Sequence, residues 1–163
     1  MDGLFYFMTD DYFIKFPDKE LLHNKEPTAV SSGKRPAFFS FADQFYPDIF
    51  WMVPFTSSIE KHKETYHYNM SKHKKCDIIH FSHVLGYEKA FVIHKMFPVT
   101  VKYIQEKYVH NNADVVIKKS DRNEIIRKSR HVLNLHRRNV KLIGPNIDYI
   151  MKELLLELGK PFP

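Results

Sequence analysis

Cysteine is nearly absent. Cys76 stands alone, so no intramolecular disulfide can form, and a reducing cytoplasm is the expected compartment. Glycine is scarce at five residues, and neither a P-loop nor a G-x-S-x-G elbow occurs. That disfavours phosphate-cradling glycine loops and the common hydrolase nucleophile. No apolar run approaches the roughly 20 residues that span a bilayer, so no membrane partner is expected. Asp2, Asp10 and Asp11 sit where a secretory signal would be basic and then apolar. Ten histidines are present, but none has ligand spacing. His80 and His83 on a strand would point to opposite faces, and His62, His67 and His73 lack an i, i+4 relation. No metal or cofactor is expected. Asp10, Asp11 and Asp77 form the alternative magnesium set, with helix capping the favoured role for the first two.

What is present suits one domain over residues 1–163. Hydrophobic residues make up 44 %, enough for a core. Fourteen Phe and nine Tyr supply core rings or stacking platforms for bases. The net charge is +6, and it is concentrated. Lys118, Lys119, Arg122, Arg127, Lys128, Arg130, Arg137, Arg138 and Lys141 face only Asp121 and Glu124 over the same stretch. Such clustering is the footprint of a polyanion partner.

Hydrophobic periodicity predicts strands at 3–8, 37–42, 49–55, 77–81, 89–94, 99–109 and 114–118. A short helical turn would carry Tyr12, Ile14 and Phe16. Residues 18–36 read as a long loop, a length usually tied to function or mobility. Residues 59–75 read as a short helix followed by a loop. Asp121 and Glu124 offer a capping box for an amphipathic helix from Ser120 to Asn139. Pro145 suits the first position of a last helix that ends at Gly159. Strands first and helices last predict an α+β fold, an antiparallel sheet or small barrel with helices packed on one side.

The chemistry centres on V-P-F-T-S-S-I-E-K, residues 53–61. An apolar strand ends there in three hydroxyls, Thr56, Ser57 and Ser58. Pro54 predicts that this end lies on an edge or at a bulge. One reading is an ST-turn leading into a helix capped by Ser57 or Ser58. The other is a phosphate site, and the two are compatible. Hydroxyls beside lysines on a basic protein suit RNA cleavage without a metal. The 2′-OH of the substrate attacks the adjacent phosphorus, while the protein aligns it, stabilises oxygen charge and protonates the leaving 5′-oxygen.

F-Y-F-M-T-D-D-Y-F-I-K-F near the start, K-R-P-A-F-F-S-F and V-P-F-T-S-S-I-E-K-H-K occur in that order. With the basic and leucine-rich helices behind them, the whole chain resembles the ToxN/AbiQ family, the toxins of type III toxin–antitoxin systems, and is most similar to the CptN branch. The resemblance implies a sequence-selective, metal-independent endoribonuclease on a compact twisted barrel like that of MazF/Kid, with added helices. It implies as partner a pseudoknot-like antitoxin RNA, cut by the toxin from tandem repeats and held with it in a closed assembly. The substrates would be cellular or phage RNA. Thr56 and Ser57 match the family's Thr-Ser pair, Tyr12 its tyrosine after the first strand, and Lys34 its lysine before the second. Arg35 and Pro36 follow Lys34, so Lys34 and Arg35 are not separated. The family's T-S-P-K becomes T-S-S-I-E-K here, which moves the following lysine to Lys61. Which of Lys34, Arg35 and Lys61 acts at the scissile phosphate stays open. By this reading Thr56 and Ser57 bind the phosphate, Lys34 and Lys61 stabilise its charge, and Tyr12 orients or protonates. Arg35, Lys118, Lys119, Arg122, Arg127, Arg130, Arg137 and Arg138 would track RNA backbones. The rival reading is a non-catalytic RNA- or DNA-binding module.

Overall fold

The structure, a computed structural model, describes residues 2–161. Its main sheet is built from β1 (Phe5–Met8), β2 (Pro36–Ala42), β3 (Phe50–Thr56), β4 (Ile79–Val84), β5 (Tyr87–Val92), β6 (Phe97–Val99) and β7 (Ile104–Lys107). The strand order is β4-β5-β3-β2-β1-β7, with β6 paired to β3, and every pairing is antiparallel. A small hairpin of β8 (Val109–His110) and β9 (Ala113–Asp114) stands apart. Four helices complete the α+β fold: α1 (Asp10–Lys15), α2 (Ile59–His73), α3 (Lys119–Arg137) and α4 (Ile147–Glu157). Among the described residues the sheet stays open between β4 and β7, so the small-barrel form of the expectation is corrected to an open sheet.

The aromatic residues are mostly core. Phe5 meets Phe38 and Phe55 edge-on, at centroid distances of 5.5 and 5.4 Å. A second cluster joins Tyr12, Phe13, Phe16, Phe97 and Tyr103. Such geometries add about 0.5–1.5 kcal/mol per pair beyond area burial. Helix α3 is tied to the sheet where β2 slips register between Phe39 and Phe41. The extra residue there, Ser40, is buried and shares a 2.7 Å hydrogen bond with Ser129.

Several elements differ from expectation for identifiable reasons. Residues 59–73 form one continuous helix rather than a short helix and a loop. Its apolar stripe is thin, but Ile59 and Tyr66 pack on Cys76, Ile79 and Ala90, and Lys74 closes it in the left-handed conformation. The predicted strand 99–109 is broken by a 3₁₀ turn at Val101–Tyr103, which sends the Tyr103 hydroxyl to Glu157. Of the predicted strand 114–118 only Asp114 lies in a ladder, in β9 with Ala113. Asp121 does not cap α3. It accepts hydrogen bonds from His80 at 2.9 Å and Ser82 at 2.8 Å, pinning the helix to β4. Asn146, not Pro145, opens α4, accepting from the Tyr149 N–H at 3.2 Å. Strand β3 is central as a whole, but its last part is locally an edge as Pro54 predicts, with residues from Pro54 onward paired on one side only. Its residues up to Met52 pair with β6 and those from Phe55 pair with β5. Pro54 lies in the gap between the two partners, where a missing N–H removes no bond on that side.

Candidate active site

The end of β3 opens into a groove of about 470 Å³. One wall is the stretch before β2, which brings Lys25, Ser31, Gly33, Lys34 and Arg35; the other is Thr56, Ser57 and Ser58 with Lys89 of β5. Phe55 forms the floor and stacks on Phe91 at 5.3 Å, which anchors the site in the core.

The loop wall is folded back on itself. The Lys25 N–H donates to the Gly33 carbonyl at 2.6 Å and the Thr28 N–H to the Ser31 carbonyl at 2.7 Å. Gly33 has φ +77°, and a Cβ there would fall 2.0 Å from the Lys25 carbonyl oxygen, so only glycine closes this turn. Asn24 holds the loop's far end. Its side chain donates to Met8 and Asp10, and its Oδ1 accepts from the Arg35 N–H at 3.0 Å. The Lys34 ammonium reaches Gln105 of β7. Arg35 lines the groove, and its Nε is buried with no partner.

The hydroxyl wall has directed donors. Lys89 donates to Ser57 Oγ at 2.6 Å, and the Ser58 N–H donates to Thr56 Oγ1 at 3.1 Å. In each case the hydroxyl oxygen is an acceptor, so its own hydrogen is free to point into the groove. Ser58 sits at the start of α2, yet no side chain caps that helix. The ST-turn is therefore made by Thr56, and Ser57 has no capping role. Among the described residues, four cations and four hydroxyl side chains line the groove, and no carboxylate does. Such a set fits the non-bridging oxygens of a phosphodiester.

Thr56, Ser57, Lys34 and Arg35 thus come together, while two other expected residues do not. Tyr12 is fully buried; its hydroxyl donates to the Pro98 carbonyl at 2.8 Å, and burial pushes its pKa well above the usual tyrosine value. It is a core residue, which corrects its assignment to the catalytic set. Lys61 is not a lining residue of the groove. It lies exposed in the first turn of α2, where its charge adds to the burial that depresses His62 and, more strongly, His94, which is pushed down to about 4. Lys89, which the sequence reading missed, takes the position beside Ser57. It lies 32 residues downstream on a neighbouring strand, and no local pattern marks it.

The cations of α3 are engaged differently. Arg127 pairs with Glu124 at 2.9 Å and Asp77 at 3.4 Å. Arg137 pairs with the buried Asp43, and its guanidinium lies 5.1 Å from the Phe45 ring centroid. Arg130 lies over Phe41 at 4.8 Å. Arg122 packs against Gly3, where a Cβ would meet its Cδ at 2.3 Å. Lys128 is buried and donates to the Ile79 carbonyl at 3.0 Å, and burial lowers its pKa. Lys118, Lys119 and Arg138 are exposed. The continuous basic face expected from the sequence is thus interrupted by carboxylates and aromatic rings. Asp77 is likewise occupied, by Lys75, Arg127 and His131, and Asp10 by Asn24.

No protein-family model matches the chain, and no curated protein matches it. Among solved structures, the chain is similar to AbiQ, a lactococcal anti-phage endoribonuclease belonging to the type III toxin–antitoxin system. The TM-score is 0.68 at 14 % identity, and the match covers 96 % of this chain and 98 % of that one. The likeness is one of fold, and it extends over essentially the whole of both chains.

Proposed function

We propose that the protein is an RNA-cutting toxin of the type III kind: a metal-independent, sequence-selective endoribonuclease that is restrained by a repeat antitoxin RNA it processes itself. The observation that carries this reading is the groove, with four cations, directed hydroxyls from Thr56 and Ser57, and no carboxylate to repel a phosphodiester. The fold shared with an endoribonuclease supports it.

In this mechanism the scissile phosphate lies between the two walls. Ser57 and Thr56 donate to its non-bridging oxygens, and Lys34, Arg35 and Lys89 balance the charge that grows on them at the transition state. The 2′-OH of the preceding nucleotide is the nucleophile, held in line by these contacts. As the O2′–P bond forms and the P–O5′ bond breaks, the proton of the 2′-OH passes to solvent water and a lysine ammonium protonates the departing 5′-oxygen. The products are a 2′,3′-cyclic phosphate and a 5′-hydroxyl. The antitoxin, a pseudoknot-like repeat in a closed protein–RNA assembly, would fill the same groove and block it.

The test is an oligonucleotide pair: all-RNA, and the same strand with a single 2′-deoxy nucleotide 5′ of the cut, both in excess EDTA. The RNA strand should be cut and the substituted strand should survive. Comparable cutting of both strands overturns the mechanism. An RNA that is bound but never cut favours the non-catalytic binding module.

A further inference from the structure

A second cavity, of about 420 Å³, lies away from the groove, between α3, α4 and the turn joining β2 to β3. Its volume is in the range of small-ligand sites. Phe45, Tyr46 and Trp51 give it three aromatic walls, and aliphatic side chains of the two helices close much of the rest. Its polar groups are few and placed: His136, Arg137 and Asp148. The framework beneath is rigid. Asp43 accepts from Trp51 Nε1 at 2.8 Å, from the N–H groups of Phe45 and Tyr46, and from Arg137, so one buried carboxylate fixes four of the lining residues.

Two details point to an occupant. Phe45 is 62 % exposed, with the Arg137 guanidinium against its ring. That leaves a large aromatic ring uncovered at the cavity's mouth. His136 is buried, and its Nδ1 has no partner. Its Nε2 lies 3.0 Å from an Asp148 oxygen, which can only accept, so Nε2 carries the hydrogen and in the neutral ring Nδ1 is a vacant acceptor. A flat ring with an N–H edge satisfies both features. Arg130, over Phe41, and Asn134 line a small pocket that shares Leu133 and Arg137 with the cavity, so a cation and an amide lie alongside to meet sugar and phosphate.

We propose that this cavity accepts an unstacked nucleobase of a single-stranded RNA segment. The ring would lie against Phe45 and offer an N–H to His136, and the strand's backbone would pass Arg130 and Arg137. This rests on the reading of the protein as an RNA-cutting toxin, for which the cavity would be a docking point separate from the cutting groove. A free nucleotide shares the chemistry, and the length dependence of binding separates the two sources.

Trp51 is the protein's only tryptophan and lines the cavity, so its emission reports occupancy. Titrations would use the four nucleoside 5′-monophosphates and short uncleavable 2′-O-methyl oligonucleotides of each base, with absorption corrected against free tryptophan. At least one base should change the emission saturably, with the oligonucleotide binding about tenfold or more tighter than its monophosphate as phosphate contacts are added. Phe45→Ala should weaken binding by about tenfold, as expected for a lost stacking platform, and Phe45→Tyr should restore it. Because Phe45 is largely exposed, its truncation leaves the core intact. No emission change with any base overturns the proposal, as does an unaffected Phe45→Ala. Monophosphates that bind as tightly as oligonucleotides would reassign the cavity to a free nucleotide. If RNA is not cut but Trp51 still responds, the cutting mechanism fails and the base site stands; if RNA is cut with Trp51 silent, the reverse holds.

Discussion

The groove and α3 are both rich in cations, and they differ in what those cations face. In the groove Lys34 meets an amide, Lys89 a hydroxyl, and Arg35 Nε nothing at all. On α3, Arg127 meets two carboxylates, Arg137 a buried one, and Arg130 a ring. Charge density along the sequence is higher on α3, yet much of that charge is already balanced. A carboxylate partner cuts the gain from binding a phosphate, because the ion pair must be given up or shared. The region with fewer cations is therefore better prepared for a polyanion, and the richer one serves first to fasten a helix to a sheet.

The largest effect that would sharpen this contrast is at Ser57. If its hydroxyl holds the reacting phosphate, Ser57→Ala should lose about 10²-fold or more in RNA cleavage, typical of removing one preorganised donor. Ser57 is exposed, so the thermal midpoint should stay put. A fully active Ser57→Ala protein takes the groove out of the chemistry.

Next comes Asp43, at the foot of α3. Truncating one partner of a buried ion pair costs about 3–5 kcal/mol, and partial exposure of Arg137 reduces that, so Asp43→Ala should lose about 2 kcal/mol in denaturant unfolding. Burial alone would raise the pKa of Asp43. The hydrogen bonds from Trp51, Phe45 and Arg137 outweigh it and hold the pKa below the ordinary carboxylate value. A depressed folded pKa stabilises above the unfolded value, and the gain is lost as pH falls through the folded one. Wild-type stability should thus drop on acidification below about pH 4, and Asp43→Ala should show less of that drop. Equal acid sensitivity in the two proteins would show that Asp43 does not contribute it.

The smallest effect tests the comparison most directly. Lys34→Ala combined with Lys89→Ala should flatten the dependence of log binding constant on log salt, by about 0.7 per lost contact with a single strand. Arg127→Ala should leave the slope unchanged. The opposite pattern would make α3 the primary RNA surface.

How much of this could be read in advance depends on the range of the determining contact. The α+β class, α3 and α4 follow from periodicity, a local property. The place of Thr56 and Ser57 at the end of an apolar strand was legible, because the strand signal is local. Lys89 was not, because only the pairing of Thr56 with Ala90 brings it beside Ser57. Tyr12 was misread for a similar reason: Pro98, which takes its hydroxyl, lies 86 residues away. Asp121 had the spacing of a cap, but His80 and Ser82 on β4 compete for its oxygens and win. Of the two carboxylates on Arg127, Glu124 lies at i−3 on the same helix and was legible, whereas Asp77 lies outside it and was not.

The change of partner along β3 has a mechanical consequence. Among the described residues only two pairs, Phe55 with Phe91 and Thr56 with Ala90, stitch the β4–β5 hairpin to the rest of the main sheet, and this is its shortest seam. The groove straddles that seam. Lys89 rides on the hairpin, while Lys34 and Arg35 ride on the approach to β2. Any shear along so short a seam changes the gap between the cations directly, so the spacing that a phosphate would meet follows the shortest ladder in the main sheet.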